Sequence, residues 1–203
     1  MYPPSEGESA EDDRTNDLEL ADISDADGVI ELVIVVDSST IIEIKKRVPA
    51  DQQWDVYDQM LTLVRQGRLA FPSQVKRELA AERHPDMPGP WCARAYRERQ
   101  HADPIDETLA EILPFIEQVV DANADPDREP ADPYVAAMAW ELIGRGYDVA
   151  VATDDVVDRL PLKISLRSAC EGLGIAVWTC DTFVEWVRST AAESELDDEE
   201  IGA

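Results

Sequence analysis

The segment VIELVIVV, residues 29–36, restricts the possible folds more than any other part of the chain. It is β-branched and almost continuously apolar. A strand of that kind needs cover on both faces, which is the situation of a strand inside a parallel sheet. It then stops abruptly on Asp37, followed by Ser38, Ser39 and Thr40. A carboxylate at the edge of a core needs a partner, and the nearest cations in sequence, Lys45 and Lys46, lie two helical turns away.

The order of the remaining segments agrees with a parallel sheet. SSTIIEIKK suits a helix start, with hydroxyls available as caps. Trp54, Tyr57, Met60, Leu61 and Val64 recur at helical spacing and predict an amphipathic helix over 52–66, ended by Gly67. RLAF at 68–71 reads as a short strand, and PSQVKRELAAER as a helix opened by Pro72 and Ser73. A Pro-rich stretch from 84 to 104 holds one helical piece around Trp91–Arg99. Leu109, Ile112, Leu113, Ile116, Val119 and Val120 predict the next helix, kinked at Pro114. Residues 121–132 read as a polar loop. PYVAAMAWELIGRG reads as a helix with Asp132 at its N-cap and Gly144 or Gly146 at its end. YDVAVAT, ISLRSACEGLG, IAVWT and DTFVEWVRST then read as strand, helix, strand and closing helix, with a loop at 154–163. Alternating strands and helices imply a three-layer α/β/α fold on a central parallel sheet of about four to five strands.

Charge is uneven along the chain. Acids outnumber bases 44 to 18, and the stretches 1–27 and 190–203 carry −15 of the net −26. Both stretches lack apolar periodicity and read as solvated, disordered tails around a folded domain at 28–189. The acidity, with four lysines against fourteen arginines, fits a halophilic cytosol or a high-GC genome. It argues against tight non-specific nucleic-acid binding through bulk charge. No apolar run reaches the roughly 18 residues of a membrane span. The acidic N-terminus lacks the apolar core of a secretory signal. Cys92, Cys170 and Cys180 are odd in number and widely spaced, which implies free thiols in a reducing cytoplasm. His84 and His101 read as surface residues.

Acids recur at the carboxyl ends of the strands, where open parallel sheets bind ligands. Asp37 follows the first strand, Glu78 lies early in the helix after RLAF, Asp132 opens a later helix, and Asp154 and Asp155 follow DVAVAT. Four such carboxylates close together require a cation, and an oxygen-only set suits Mg²⁺ or Mn²⁺. Such a centre could activate a water and neutralise a phosphate. Taken singly, each acid also has a plainer role as a cap, a turn residue or a surface charge. Basic runs at 45–47, at Arg94, Arg97 and Arg99 beside Trp91 and Tyr96, and at Arg159, Lys163 and Arg167 are candidate RNA contacts. A phosphatase built on Asp37 would want an acid at position 39, which is Ser39. A receiver domain would want acids on an earlier strand.

VIVVDSSTII, VKREL, ADPYVAAMA and VATDD, in that order, resemble the four motifs of PIN-domain ribonucleases, and LKISLRSACEGLGIAV resembles the close of these domains. The likeness spans about 32–188 and is greatest to a longer branch related to VapC-type toxins. It implies a divalent-metal endoribonuclease, the toxin of a toxin–antitoxin pair with RNA as substrate, a cognate antitoxin as partner and a possible homodimer. The alternative is a PIN-like module that binds RNA or protein without cutting. Carried over by motif, the resemblance implies Asp37, Glu78, Asp132 and Asp155 as catalytic, metal-holding acids. Asp154 stays open as the fourth acid. Ser38, Ser39 and Thr153 would support the metal shell, and Lys163, Arg167 and Arg159 would meet phosphates.

Overall fold

The computed structural model describes residues 31–81, 86–121, 123 and 129–201. The stretch 1–27, read above as a disordered tail, lies outside the described residues, as does His84.

Four strands form one all-parallel sheet: β1 (Leu32–Val36), β2 (Leu69–Ala70), β3 (Asp148–Ala152) and β4 (Ala176–Trp178), in the order β2-β1-β3-β4. Val33 to Val36 are fully buried, as the unbroken apolar run demands of a central strand. The chain leaves β1 toward β2 on one side and later returns to β3 on the other. The switch point where parallel sheets hold ligands therefore falls between β1 and β3. Val36 pairs with Ala152, and the Asp37 amide donates to the Ala152 carbonyl at 3.0 Å. This register puts Asp37 and Thr153 side by side just beyond the carboxyl edge.

Two groups of helices cover the sheet. The first comprises α1 (Ser38–Arg47), α2 (Gln53–Gln66), α3 (Ser73–Ala81), α4 (Pro88–Glu98) and α8 (Cys180–Ile201). These pack on one another, while α5 (Asp106–Ile116), α6 (Asp132–Gly144) and α7 (Leu166–Gly172) form the second group. The three-layer α/β/α expectation is met. In α6, Val135, Ala136, Ala137, Met138, Ala139 and Leu142 are buried; its small side chains let it lie close against β1 and β3. Gly67 ends α2 at φ 81°, a left-handed conformation that suits glycine.

Several local expectations differ from the structure. The hydroxyls do not cap α1; Asp37 does, in extended conformation. Asp132 is the first residue of α6 rather than its cap, which is Ala131. Trp54 is 60% exposed although its spacing matched the buried face of α2; it stands at the lip of a groove with Met87, Pro90 and Trp91. The helix expected to run to Val120 is α5 followed by a 3-10 turn, Glu117–Val119, with Pro114 inside α5. His101 is half-buried, its Nε2 lying 2.6 Å from the Gly67 carbonyl and its ring edge-on to Tyr147. The backbone of α8 is helical to Ile201, beyond the position 189 chosen for the end of the fold. Ala, Glu and Leu, good helix formers, continue the run there. The three cysteines are buried and free. Among the described residues no helix is long and apolar enough to cross a membrane.

Candidate active site

Asp37 answers the question raised by its position with hydrogen bonds. Its carboxylate accepts from the amides of Ser38 at 2.7 Å and Ser39 at 3.3 Å. Ser39 Oγ donates at 2.6 Å and Thr153 Oγ1 at 3.1 Å. The group is only 2% exposed. Burial raises its pKa above the ordinary carboxylate range; the Ser39 hydroxyl opposes the rise, and the charge of Glu78 adds to it. Capping a helix N-terminus accounts for part of this placement. It does not account for a second carboxylate brought so close.

That second carboxylate is Glu78, delivered by α3. Ser38 Oγ donates to Glu78 Oε2 at 2.5 Å and lies 3.3 Å from Asp37 Oδ1, so one hydroxyl bridges the two acids. Glu78 Oε1 also accepts from the Ala131 amide at 2.9 Å, which ties α3 to the start of α6. There Asp132 makes no capping bond. Instead its Oδ2 accepts from Lys163 Nζ at 2.7 Å, and the same ammonium donates to Asp155 Oδ2 at 2.8 Å. Asp155 Oδ2 accepts further from the Leu166 amide at the start of α7, and the Asp155 amide donates to Thr153 Oγ1.

Asp155 and Asp154 face different ways. Asp154 accepts from Arg47 Nη2 at 3.0 Å and from Thr40 Oγ1 at 3.4 Å, on the far side of the α1 start. The structure therefore joins Asp37 to Glu78 through Ser38 and Asp132 to Asp155 through Lys163, and leaves Asp154 in an ion pair apart from both.

Asp132 feels its neighbours strongly. Burial, then the charge of Asp37, push it up to about 7 despite Lys163. Lys163 itself is raised: burial disfavours its charge, and Asp132 and Asp155 more than offset that. Among the described residues Lys163 is the one ammonium bonded in this pocket, and it reaches two of the four carboxylates. The pair it does not reach and the all-oxygen donor set fit a hard divalent cation. Among the described residues no three acidic, histidine or cysteine side chains close up into a metal-binding group. Ser38 stands between Asp37 and Glu78, and Lys163 between Asp132 and Asp155. Behind the pocket, burial and then Asp37 and Asp132 push the Cys170 thiol up to about 12, which makes it a poor nucleophile.

A pH dependence follows. Unfolded Asp132 ionises near 3.8, folded Asp132 near 7. Below 3.8 both states are protonated and the group is neutral to stability. Between the two values the unfolded state alone sheds its proton, so stability falls as pH rises and levels off above about 7. Each tenfold change in proton affinity is worth about 1.4 kcal/mol, so the loss is a few kcal/mol in magnitude. Urea unfolding in EDTA is expected to show wild type losing more stability than Asp132→Asn between pH 5 and pH 8. Parallel profiles would contradict the buried, repelled carboxylate.

The basic runs behave differently from their sequence reading. Lys163 points into the acid pocket, 13% exposed, and not outward to a phosphate. Arg167 lies 3.3 Å from Glu171 one turn on. Arg159 is exposed, and its backbone pairs with Lys163. Lys45 pairs with Asp86, Lys46 with Glu43, and Arg47 with Asp154 and Asp181. Arg94 pairs with Glu98. Arg99 pairs with Asp103 while stacking on Tyr96 at 3.9 Å. Trp91 is buried and is no platform for a base. The role of Lys163 was the feature missed in the sequence; the only signal was a lysine nine residues after Asp154 in a loop that returns to the sheet edge. Comparison with protein-family models and with curated proteins finds no match.

Proposed function

We propose that this chain is a divalent-metal-dependent endoribonuclease that hydrolyses RNA phosphodiester bonds. The observation that supports this most is the grouping of Asp37, Glu78, Asp132 and Asp155 at the switch point between β1 and β3, with one ammonium among them. The resemblance of the four segments to PIN-domain ribonucleases supplies the substrate class. Asp37, Glu78, Asp132 and Asp155 would hold Mg²⁺ or Mn²⁺, which when bound lowers the pKa of a water and neutralises phosphate oxygens.

The residues of the chain have definable tasks. Ser38, Ser39 and Thr153 orient the Asp37 and Glu78 carboxylates and leave little rotational freedom to either. Asp132 has its Oδ1 left for the ion, since Oδ2 is bonded to Lys163. Asp155 holds Lys163 and the start of α7. The roles of toxin, cognate antitoxin and homodimer rest on the resemblance alone. A product of a neighbouring reading frame that suppresses cleavage would support them.

The test is a Mn²⁺ titration of the purified protein on total RNA. Wild type is expected to cut with metal and fall silent in EDTA, and Asp132→Asn to lose about 10²-fold or more. Equal cutting by both proteins would overturn the assignment. The paired acids give a sharper contrast. Asp155→Asn is expected to lower cleavage about 10²-fold, while Asp154→Asn, whose carboxylate faces Arg47 and Thr40, is expected to cut at close to the wild-type rate. A loss at Asp154 comparable to that at Asp155 would contradict the grouping.

A second reading is favoured by one observation. Lys163 occupies the space between Asp132 and Asp155, which suits a non-catalytic PIN-like module binding RNA or protein. Retention of RNA without metal binding or cleavage would favour it.

A further inference from the structure

We propose that Lys163 is a resident cation of the pocket, standing where a second metal ion would otherwise sit, so that the centre accepts a single divalent ion. The inference rests on the metal reading above and specifies it.

The four acids fall into two pairs. Asp37 and Glu78 meet through the Ser38 hydroxyl; Asp132 and Asp155 meet through the Lys163 ammonium. A hydroxyl hydrogen-bonded between two carboxylates leaves their charge uncompensated. An ammonium at 2.7 and 2.8 Å compensates one unit of it. An ion that bridged Asp132 and Asp155 would have to expel Lys163, whose side chain is 13% exposed and bonded to both. An ion drawn to the Asp37 and Glu78 side of the pocket would require no such expulsion. The two halves of the pocket therefore differ in what they admit.

The loop that carries Lys163 is braced for this placement. The Arg159 amide donates to the Lys163 carbonyl at 2.8 Å, and the Lys163 amide returns a bond to the Arg159 carbonyl at 3.2 Å. On one side of this turn Asp158 accepts from both the amide and the hydroxyl of Ser165, at 2.7 and 2.8 Å. On the other, the Ile164 amide donates to the Gln118 carbonyl at 2.9 Å, fastening the loop to the 3-10 turn after α5. Position 163 is thus fixed from both directions, with its side chain directed at Asp132 and Asp155. A lysine meant for a solvent-borne phosphate would need none of this bracing.

The test is Mn²⁺ binding to the full chain by calorimetry in about 0.15 M salt, where exposed carboxylates are screened, with thermal melting alongside. Wild type is expected to bind one ion tightly. Lys163→Met is expected to bind a second, or to bind one at least about tenfold more tightly. Without metal, Lys163→Met should melt below wild type and gain more from Mn²⁺. Lys163→Arg, which keeps the charge, should keep the wild-type stoichiometry. Two tight ions in wild type, or identical binding by wild type and Lys163→Met, would overturn the proposal while leaving the metal reading standing. No tight ion in either protein would overturn both. If Lys163→Met does not fold, Lys163→Gln and the wild-type stoichiometry decide.

Discussion

Asp37→Asn is expected to reduce RNA cleavage by about 10²–10⁴-fold while leaving the metal-free protein folded and no less stable than wild type. The two halves of that expectation have different origins. Asparagine keeps the shape of the side chain and one carbonyl oxygen to accept from the Ser38 or Ser39 amide. The Ser39 and Thr153 hydroxyls can turn to accept from its amide nitrogen. The substitution also removes a buried charge whose pKa is raised by burial and by Glu78, so folding without metal becomes no costlier. Activity, by contrast, depends on that charge, because a neutral amide neither retains a divalent cation nor offsets one in a dry pocket. Circular dichroism melting and initial cleavage rates with Mn²⁺ read the two halves separately. A variant that unfolds, or one that cuts at close to the wild-type rate, would each contradict this.

The largest stability effect is expected at Trp91. Its ring is 6% exposed and packs at 5.8 Å from Tyr57 and 5.9 Å from Phe71. Its Nε1 donates to the Tyr57 carbonyl at 2.8 Å, so it joins α4 to α2 by packing and by a polar bond. Truncating a large buried aromatic costs about 3–5 kcal/mol. Trp91→Ala should lower the urea midpoint accordingly. At temperatures where the variant stays folded, its RNA affinity should match that of wild type. Little change in stability with a marked loss of RNA affinity would restore the base-stacking role that the neighbouring arginines suggested.

What was legible in the sequence had a local cause. VIELVIVV needs burial on both faces, and its neighbours alternate between strand and helix; that is enough for a parallel sheet and for acids at its carboxyl edge. Asp37 was conspicuous because a charge closed a buried run. Partnerships across the fold were not legible. Lys45 with Asp86, Arg47 with Asp181 and Lys163 with Asp132 join residues 41, 134 and 31 positions apart. No spacing rule connects them, so the cations looked available when they were already paired. Trp54 and Trp91 show a similar limit. Both lie at helical spacing among apolar residues, yet only Trp91 is covered, because α2 and α4 meet each other on one side of that stripe. Asp154 and Asp155 are adjacent in sequence and opposite in use. The turn after β3 sends one toward Arg47 and the other toward Lys163.

The most direct measurement is analysis of the RNA ends produced with Mn²⁺. Water attack directed by a carboxylate-held metal leaves a phosphate on one end, a hydroxyl on the other and no 2′,3′-cyclic phosphate, and EDTA abolishes it. Those ends, absent with Asp37→Asn, are the predicted result. Cyclic phosphate ends, or cutting that persists in EDTA and in Asp37→Asn, would contradict the carboxylate pocket as the seat of the chemistry.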